Sequence, residues 1–183
     1  MVNPAVFRVL LLAACLLVPG CAAPRALPAP AGTSFAVAFS PQKTSLELVL
    51  SCIREAERKI LVAAYAFTSK PISTALLEAH KRGVEVLVVA DQKSNGGRHT
   101  AATFLADCGV PVRLNGRYAI HHHKFMVVDN RHVQTGSFNY SAAAVDKNAE
   151  NVLVVRNVPE LAAQYASEWQ RLWAESVDVH ANH

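Results

Sequence analysis

Residues 122–139 read HHKFMVVDNRHVQTGSFN, and the alternation within this stretch decides how the surrounding chain is read. KFMVV, from Lys124, is apolar enough for a buried strand, and RHVQTGS after Asp129-Asn130 supplies the returning arm of a hairpin. Successive strand residues point to opposite faces. His122 and Lys124, two apart, therefore share a face, as do Ser137 and Asn139 beyond Gly136. Pairing the two arms brings an imidazole, an ammonium, a hydroxyl and an amide to one end of a sheet. Asp129, at the strand end, is expected to anchor the turn rather than react.

Outward from this hairpin the chain alternates between strand and helix patterns. FAVAF (35–39), KILVAAYAF (59–67), VEVLVVAD (84–91), VPVRL (110–114) and ENVLVVR (150–156) read as strands. Ser40-Pro41 is expected to start a helix carrying Leu46, Val49, Leu50, Ile53 and Ala56 on one face and running to about Lys59. A second helix is expected from Pro71 to Gly83, a third over HTAATFLADCG (99–109) and a closing one over PELAAQYASEWQRLWAES (159–176). QKSNGGR (92–98) reads as a loop. The expectation is an α/β layered domain with a mixed, largely parallel central sheet and helices on both faces.

The ends are different in character. Arg8 precedes the apolar run VLLLAACLLV, so residues 1–20 read as an export signal. LVPGC matches a bacterial lipobox, which would make Cys21 the lipidated first residue of an exported, periplasmic, membrane-attached protein; Pro19 is unusual there, and ordinary cleavage near Ala23 is the alternative. Residues 21–33, rich in Pro and Ala, read as a tether, 34–176 as the single domain and 177–183 as a tail. Loss of the leader removes Arg8 and lowers the formal charge from +4 to +3, a mildly basic balance compatible with a polyanionic partner. Cys52 and Cys108 are expected as two separately buried thiols, although an oxidising compartment would permit a bond.

Three readings of the triple histidine compete. A metal cage is disfavoured because neighbouring strand residues diverge and no Cys or acidic residue stands at a familiar ligand spacing. A solvated basic loop accounts for His121 and His123 but not for the lysine, the apolar run and the aspartate beyond them. The third is covalent chemistry: a neutral imidazole at His122 can attack phosphorus while the Lys124 ammonium neutralises charge on the phosphoryl oxygens.

The fixed gaps of H-x-K-x4-D-x6-G-S-x-N, all satisfied from His122 to Asn139, resemble the signature of the phospholipase D superfamily. AYAFTSKPISTALLEAHKRGVEVLVVAD, TGSFNYS, AENVLVV and EWQRLW extend the resemblance toward the small, exported, single-motif Nuc-type bacterial endonucleases. The resemblance selects His122 as the motif histidine. It implies a covalent phosphohistidine mechanism needing no metal or other cofactor, with Lys124, Ser137 and Asn139 on the phosphoryl oxygens and Glu150 hydrogen-bonding a motif histidine. That mechanism needs two such histidines where this chain has one, so it implies an obligate homodimer with one composite site.

The implied substrate is nucleic acid, DNA or RNA, bound through its backbone and so without sequence preference. Lys70, Lys93, Arg98, Arg113 and Arg117 are the candidate phosphate contacts, and Tyr118 is a candidate for stacking on a base, more simply read as a core or edge aromatic. Phospholipid headgroups are the alternative substrate class, and a catalytically silent nucleic-acid-binding module is a third reading that the intact His122, Lys124, Ser137 and Asn139 set argues against.

Overall fold

The computed structural model describes residues 26–97 and 100–179. The leader, the first five residues of the tether including Cys21, Arg98, His99 and the last four residues lie outside the described residues. In chain order the elements are β1 (Ser34–Ser40), α1 (Thr44–Arg54), β2 (Lys59–Ala64), α2 (Lys70–Lys81), β3 (Glu85–Asp91), α3 (Gln92–Asn95), α4 (Ala101–Asp107), β4 (Val112–Asn115), β5 (Lys124–Val128), β6 (His132–Gly136), α5 (Ala142–Asp146), β7 (Glu150–Arg156), α6 (Pro159–Ala174) and β8 (Val177–Asp178).

The strands form one sheet in the order β1-β7-β6-β5-β2-β3-β4-β8. It is mixed, with helices on both faces, as the alternation predicts, but it is not largely parallel. Only β2-β3 and β3-β4 run parallel; the pairs β1-β7, β7-β6, β6-β5, β5-β2 and β4-β8 are antiparallel. The hairpin needs no crossover helix and so makes β5-β6 antiparallel, and on its side of β2 every pairing is antiparallel.

Two cores sandwich the sheet. Ile60, Val62 and Ala64 of β2 join Val49, Ile53, Ile72, Leu76 and Leu105 on one face. Leu61 and Ala63 join Phe125, Val127, Trp169 and Leu172 on the other. Burying each such Leu, Ile or Val contributes roughly 1.5–3 kcal/mol. Among the described residues a single helix, α6, covers the second face, with Ala162, Trp169 and Leu172 buried at helical spacing. Trp169 Nε1 donates to the Val62 carbonyl at 2.8 Å, which pins α6 over β2.

Three local expectations are corrected. Ser40-Pro41 does not open α1: strand pairing carries Ser40 opposite Glu150, and the helix starts at Thr44 after Lys43 at φ 61°. The same helix ends at Arg54, because the Asp129 carboxylate accepts the backbone N–H groups of Glu57, Arg58 and Lys59 at 3.0, 2.8 and 2.9 Å. Asp129 thus anchors a turn far from its own in sequence, and its own tight turn, with Asp129 and Asn130 at φ 53° and 56°, costs little because Asp and Asn tolerate that region. Lastly, the tail begins with a strand, since Val177 and Asp178 pair with β4 and extend the domain past residue 176. The second helix behaves as expected, with Pro in its first turn and Gly83 at φ 92° beyond its end.

Cys52 and Cys108 are both free. Cys52 is buried, and burial pushes its thiol up to about 12. Cys108 is exposed rather than buried, because it follows α4 as its C-terminal cap on the surface.

Candidate active site

His122, Lys124, Ser137 and Glu150 come to the end of the sheet shared by β5, β6 and β7, while Asp129 lies at the other end of the hairpin beside the start of β2. Phe125 lies opposite Thr135 and Gly136 opposite Val152, so the segments on either side of these pairs meet at one sheet end. Close approach requires glycine at 136: its φ is 150°, and a Cβ there would lie 2.2 Å from the Asn151 carbonyl oxygen. Asn151 can therefore send its backbone N–H to Ser137 Oγ at 3.0 Å and its Nδ2 to the same oxygen at 3.2 Å.

His122 is exposed, at the mouth of a cleft of about 380 Å³ that it shares with Lys124, Gly136, Gln164, Tyr165 and Glu168. Its ring lies 4.6 Å from that of Tyr65, tilted by 60°. Lys124 is 7% exposed; its Nζ donates to the His122 carbonyl at 2.7 Å and sits 5.1 Å from the Tyr65 ring centre. Burial lowers the Lys124 pKa and the Glu150 charge opposes that shift, which indicates a desolvated ammonium within electrostatic reach of a carboxylate. Such a cation has more to gain from a bound anion than one in water.

Glu150 accepts from Ser137 Oγ at 2.5 Å and from Asn148 Nδ2 at 2.9 Å. Within one chain it thus orients the serine; its expected partnership with a motif histidine is not among these bonds. Asn139 Oδ1 is buried with no hydrogen-bond partner.

Of the two flanking histidines, His121 is buried and so departs from a solvated loop, while His123 is exposed. His121 is 2% exposed, with neither ring nitrogen partnered, and burial, with His123 next in effect, lowers its pKa to about 4. The unfolded chain takes up this proton near pH 6.5 and the native one only near 4, so stability is lost as pH falls between those values. At pH 4.5 the share due to His121 is roughly 2–3 kcal/mol. Denaturant titrations at pH 7 and 4.5 are expected to show that much less pH dependence for His121→Phe than for wild type. His123 bonds Glu168 at 3.2 Å, and Glu168 in turn holds Arg171, so α6 grips the outer side of the histidine segment. Among the described residues no cluster of three or more His, Cys, Asp or Glu could hold a metal ion.

The candidate phosphate contacts divide. Arg113 is engaged structurally: it bonds Asp178 at 2.8 Å and the Trp173 carbonyl at 3.1 Å and lies 4.4 Å from the Trp173 ring, fastening β8 to α6. Lys93 donates to the Ala119 carbonyl at 3.1 Å, and Arg117 lies 3.8 Å from Glu175. Lys70 lines a separate cleft with Thr68 and Phe104. Tyr118 is an edge aromatic, donating its hydroxyl to Glu175 at 2.7 Å beneath the Arg171 guanidinium. Tyr65, Asp91 and Glu168 lie in stretches that carry the wider resemblance but take no role from it, and Asn95 lies in none; the position of Tyr65 and Asp91 at the ends of adjacent parallel strands is the available signal.

Residues 49–173 match the family model described as cardiolipin synthase, PLD-like domain. The chain belongs to the phospholipase D superfamily. Among solved structures it is similar to Nuc from Salmonella typhimurium, a phospholipase D family member, with 40% identity, a TM-score of 0.79, and coverage of 81% of this chain and 99% of that one. Among curated relatives it is 33% identical to a phospholipase D of Rickettsia conorii, over 72% of this chain and 65% of the relative. It is also 33% identical to a mitochondrial cardiolipin hydrolase of Chlamydomonas reinhardtii, over 74% of this chain and 60% of the relative. The chain thus spans about 60–65% of the length of these curated relatives. The superfamily's phosphodiester-hydrolase chemistry suits a site built from an exposed imidazole and a buried ammonium.

Proposed function

We propose that the protein is a phosphodiesterase that cleaves nucleic acid as an endonuclease, through a phosphohistidine on His122, at a site completed by a second copy of the chain. The observation that carries this reading is the solvent-facing His122 imidazole beside the desolvated Lys124 ammonium, on a chain 40% identical to Nuc. The nitrogen lone pair of His122 forms a bond to phosphorus as the bond to the leaving oxygen breaks, and the second copy's His122 gives that oxygen a proton. Water then attacks phosphorus, the phosphorus–nitrogen bond breaks, and the second imidazole takes the proton from water. Lys124 neutralises the non-bridging oxygens in both steps, aided by the Ser137 hydroxyl once substrate competes for it with Glu150.

The two-copy arrangement draws support from the edge of the sheet. Phe35, Val37 and Phe39 of β1 are 66%, 62% and 58% exposed on one face, and Phe39 pairs with Asn151, next to Glu150. An apolar face leading toward the site suits an isologous contact between copies. Export through residues 1–20 and lipid attachment at Cys21 belong to the same proposal.

Phospholipid is the second reading, favoured by the names of the curated relatives. Purified protein with excess EDTA, given plasmid DNA and phosphatidylcholine vesicles in parallel, separates the two. EDTA-resistant nicking with intact vesicles is the expected result. Headgroup release without nicking would keep the chemistry and change the substrate, while activity lost in EDTA and restored by a divalent ion would overturn the mechanism.

A further inference from the structure

Two buried polar side chains at the end of β3 take no part in the chemistry above, yet their bonds lead toward His122. Asp91 is 1% exposed; its Oδ2 accepts from Ser94 N at 2.9 Å and its Oδ1 from His121 N at 2.7 Å. The first bond caps α3 and holds the carboxylate in one rotamer. The second holds the backbone one residue before the reacting histidine. Asn95, also 1% exposed, donates Nδ2 to the Asp91 carbonyl at 2.9 Å and to the Tyr65 carbonyl at 2.5 Å, and its Oδ1 accepts from Phe67 N at 3.0 Å. Thr100 Oγ1 closes the arrangement on the Asn95 carbonyl at 3.1 Å.

The segment from 120 to 123 has no regular structure of its own, so strand pairing does not orient the His122 ring. In-line attack needs that ring aimed within about 10–20° and half an ångström. The contacts that meet this need come from Tyr65, whose ring touches His122 and lies under Lys124 Nζ.

We infer that Tyr65 is the positioning residue for His122 and Lys124, and that Asp91 and Asn95 form the clamp that keeps Tyr65 and the His121-His122 backbone in register. The inference rests on the reading that His122 reacts. Buried amides with every bond made hold their neighbours in one arrangement, and here the neighbours are the two strand ends that face the motif.

The test uses the full chain with bis(4-nitrophenyl) phosphate as probe, and follows the His122 ring-proton NMR signals, assigned by their absence from His122→Ala. Tyr65→Phe keeps the ring and is expected to retain kcat within about 2-fold. Tyr65→Leu is expected to lose kcat by about 100-fold with KM changed by less than about 3-fold, and to shift the His122 ring signals through loss of the aromatic neighbour. Asn95→Ala is expected to change both readouts in the same direction, and to add little to Tyr65→Leu in the double variant because the two act through one ring. Should Asn95→Ala fail to fold, the Tyr65 pair decides the matter. Tyr65→Leu with kcat within about 3-fold of wild type, or with kcat lost and the His122 signals unmoved, overturns the inference. Full activity of His122→Ala would instead bring down the functional reading, and the NMR shift would still report whether Tyr65 holds the ring.

Discussion

His122→Ala is expected to lower the rate of phosphodiester hydrolysis by at least about 10⁴-fold, because it removes the only group assigned to bond phosphorus. Stability should move by less than about 0.5 kcal/mol, since His122 is exposed and its ring contact with Tyr65 is on the surface side. The comparison of rate with stability therefore separates chemistry from folding. The composite site adds a quantitative signature. If each site uses one His122 from each copy, a mixed dimer is inactive. At constant total protein, an exchanged equal mixture of wild type and His122→Ala should then show about a quarter of the specific activity of wild type, where independent sites would show about half. Turnover of the mixture at several ratios, fitted to a linear or a squared dependence on the wild-type fraction, checks this.

Asp129→Ala is expected to produce the largest loss of stability, roughly 3–5 kcal/mol. The carboxylate is 3% exposed and accepts three backbone N–H groups from Glu57, Arg58 and Lys59, which would be left without partners beside the start of β2. Asp129→Asn keeps the shape and the left-handed conformation at φ 53° but loses the charge, so a smaller cost of about 1–2 kcal/mol is expected. The pH dependence has its origin in the same bonds. Burial raises the Asp129 pKa, but the backbone bonds and the Arg58 charge outweigh it, so the folded value lies below the ordinary one. Its stabilisation is therefore complete above the unfolded carboxyl pKa of about 3.9 and is lost as pH falls through the lower folded value. Unfolding midpoints of wild type and Asp129→Asn should converge in that acid window. A constant gap across it would mean that the carboxylate charge contributes nothing.

Much of this molecule is legible in its amino-acid order. The hairpin from Lys124 to Gly136 follows from alternation and from Asp129-Asn130, and α2 follows from Pro71 and Gly83, because these signals act within a few residues. The start of α1 is not legible, since Ser40 could cap a helix or pair with Glu150, and the pairing partner lies over a hundred residues away. The strand directions are obscured for a similar reason: apolar runs such as β2 read alike in parallel and antiparallel sheets. At the site, spacing brings out His122, Lys124, Ser137 and Asn139. Tyr65, Asp91 and Asn95 leave no such trace, because two of them act through backbone groups of distant segments, which impose no spacing on the sequence. Arg113 shows the converse: one more surface cation in the sequence, but a structural tie between β4, β8 and α6 in the fold.

The central claim, a covalent bond from His122 to phosphorus, is tested most directly by mass spectrometry of protein quenched in base during turnover of bis(4-nitrophenyl) phosphate in EDTA. The expected result is a 4-nitrophenyl phosphoryl adduct on the peptide containing His122, absent from His122→Ala. Steady turnover with no adduct at any quenched time point, or an adduct on another residue that persists in His122→Ala, would contradict it.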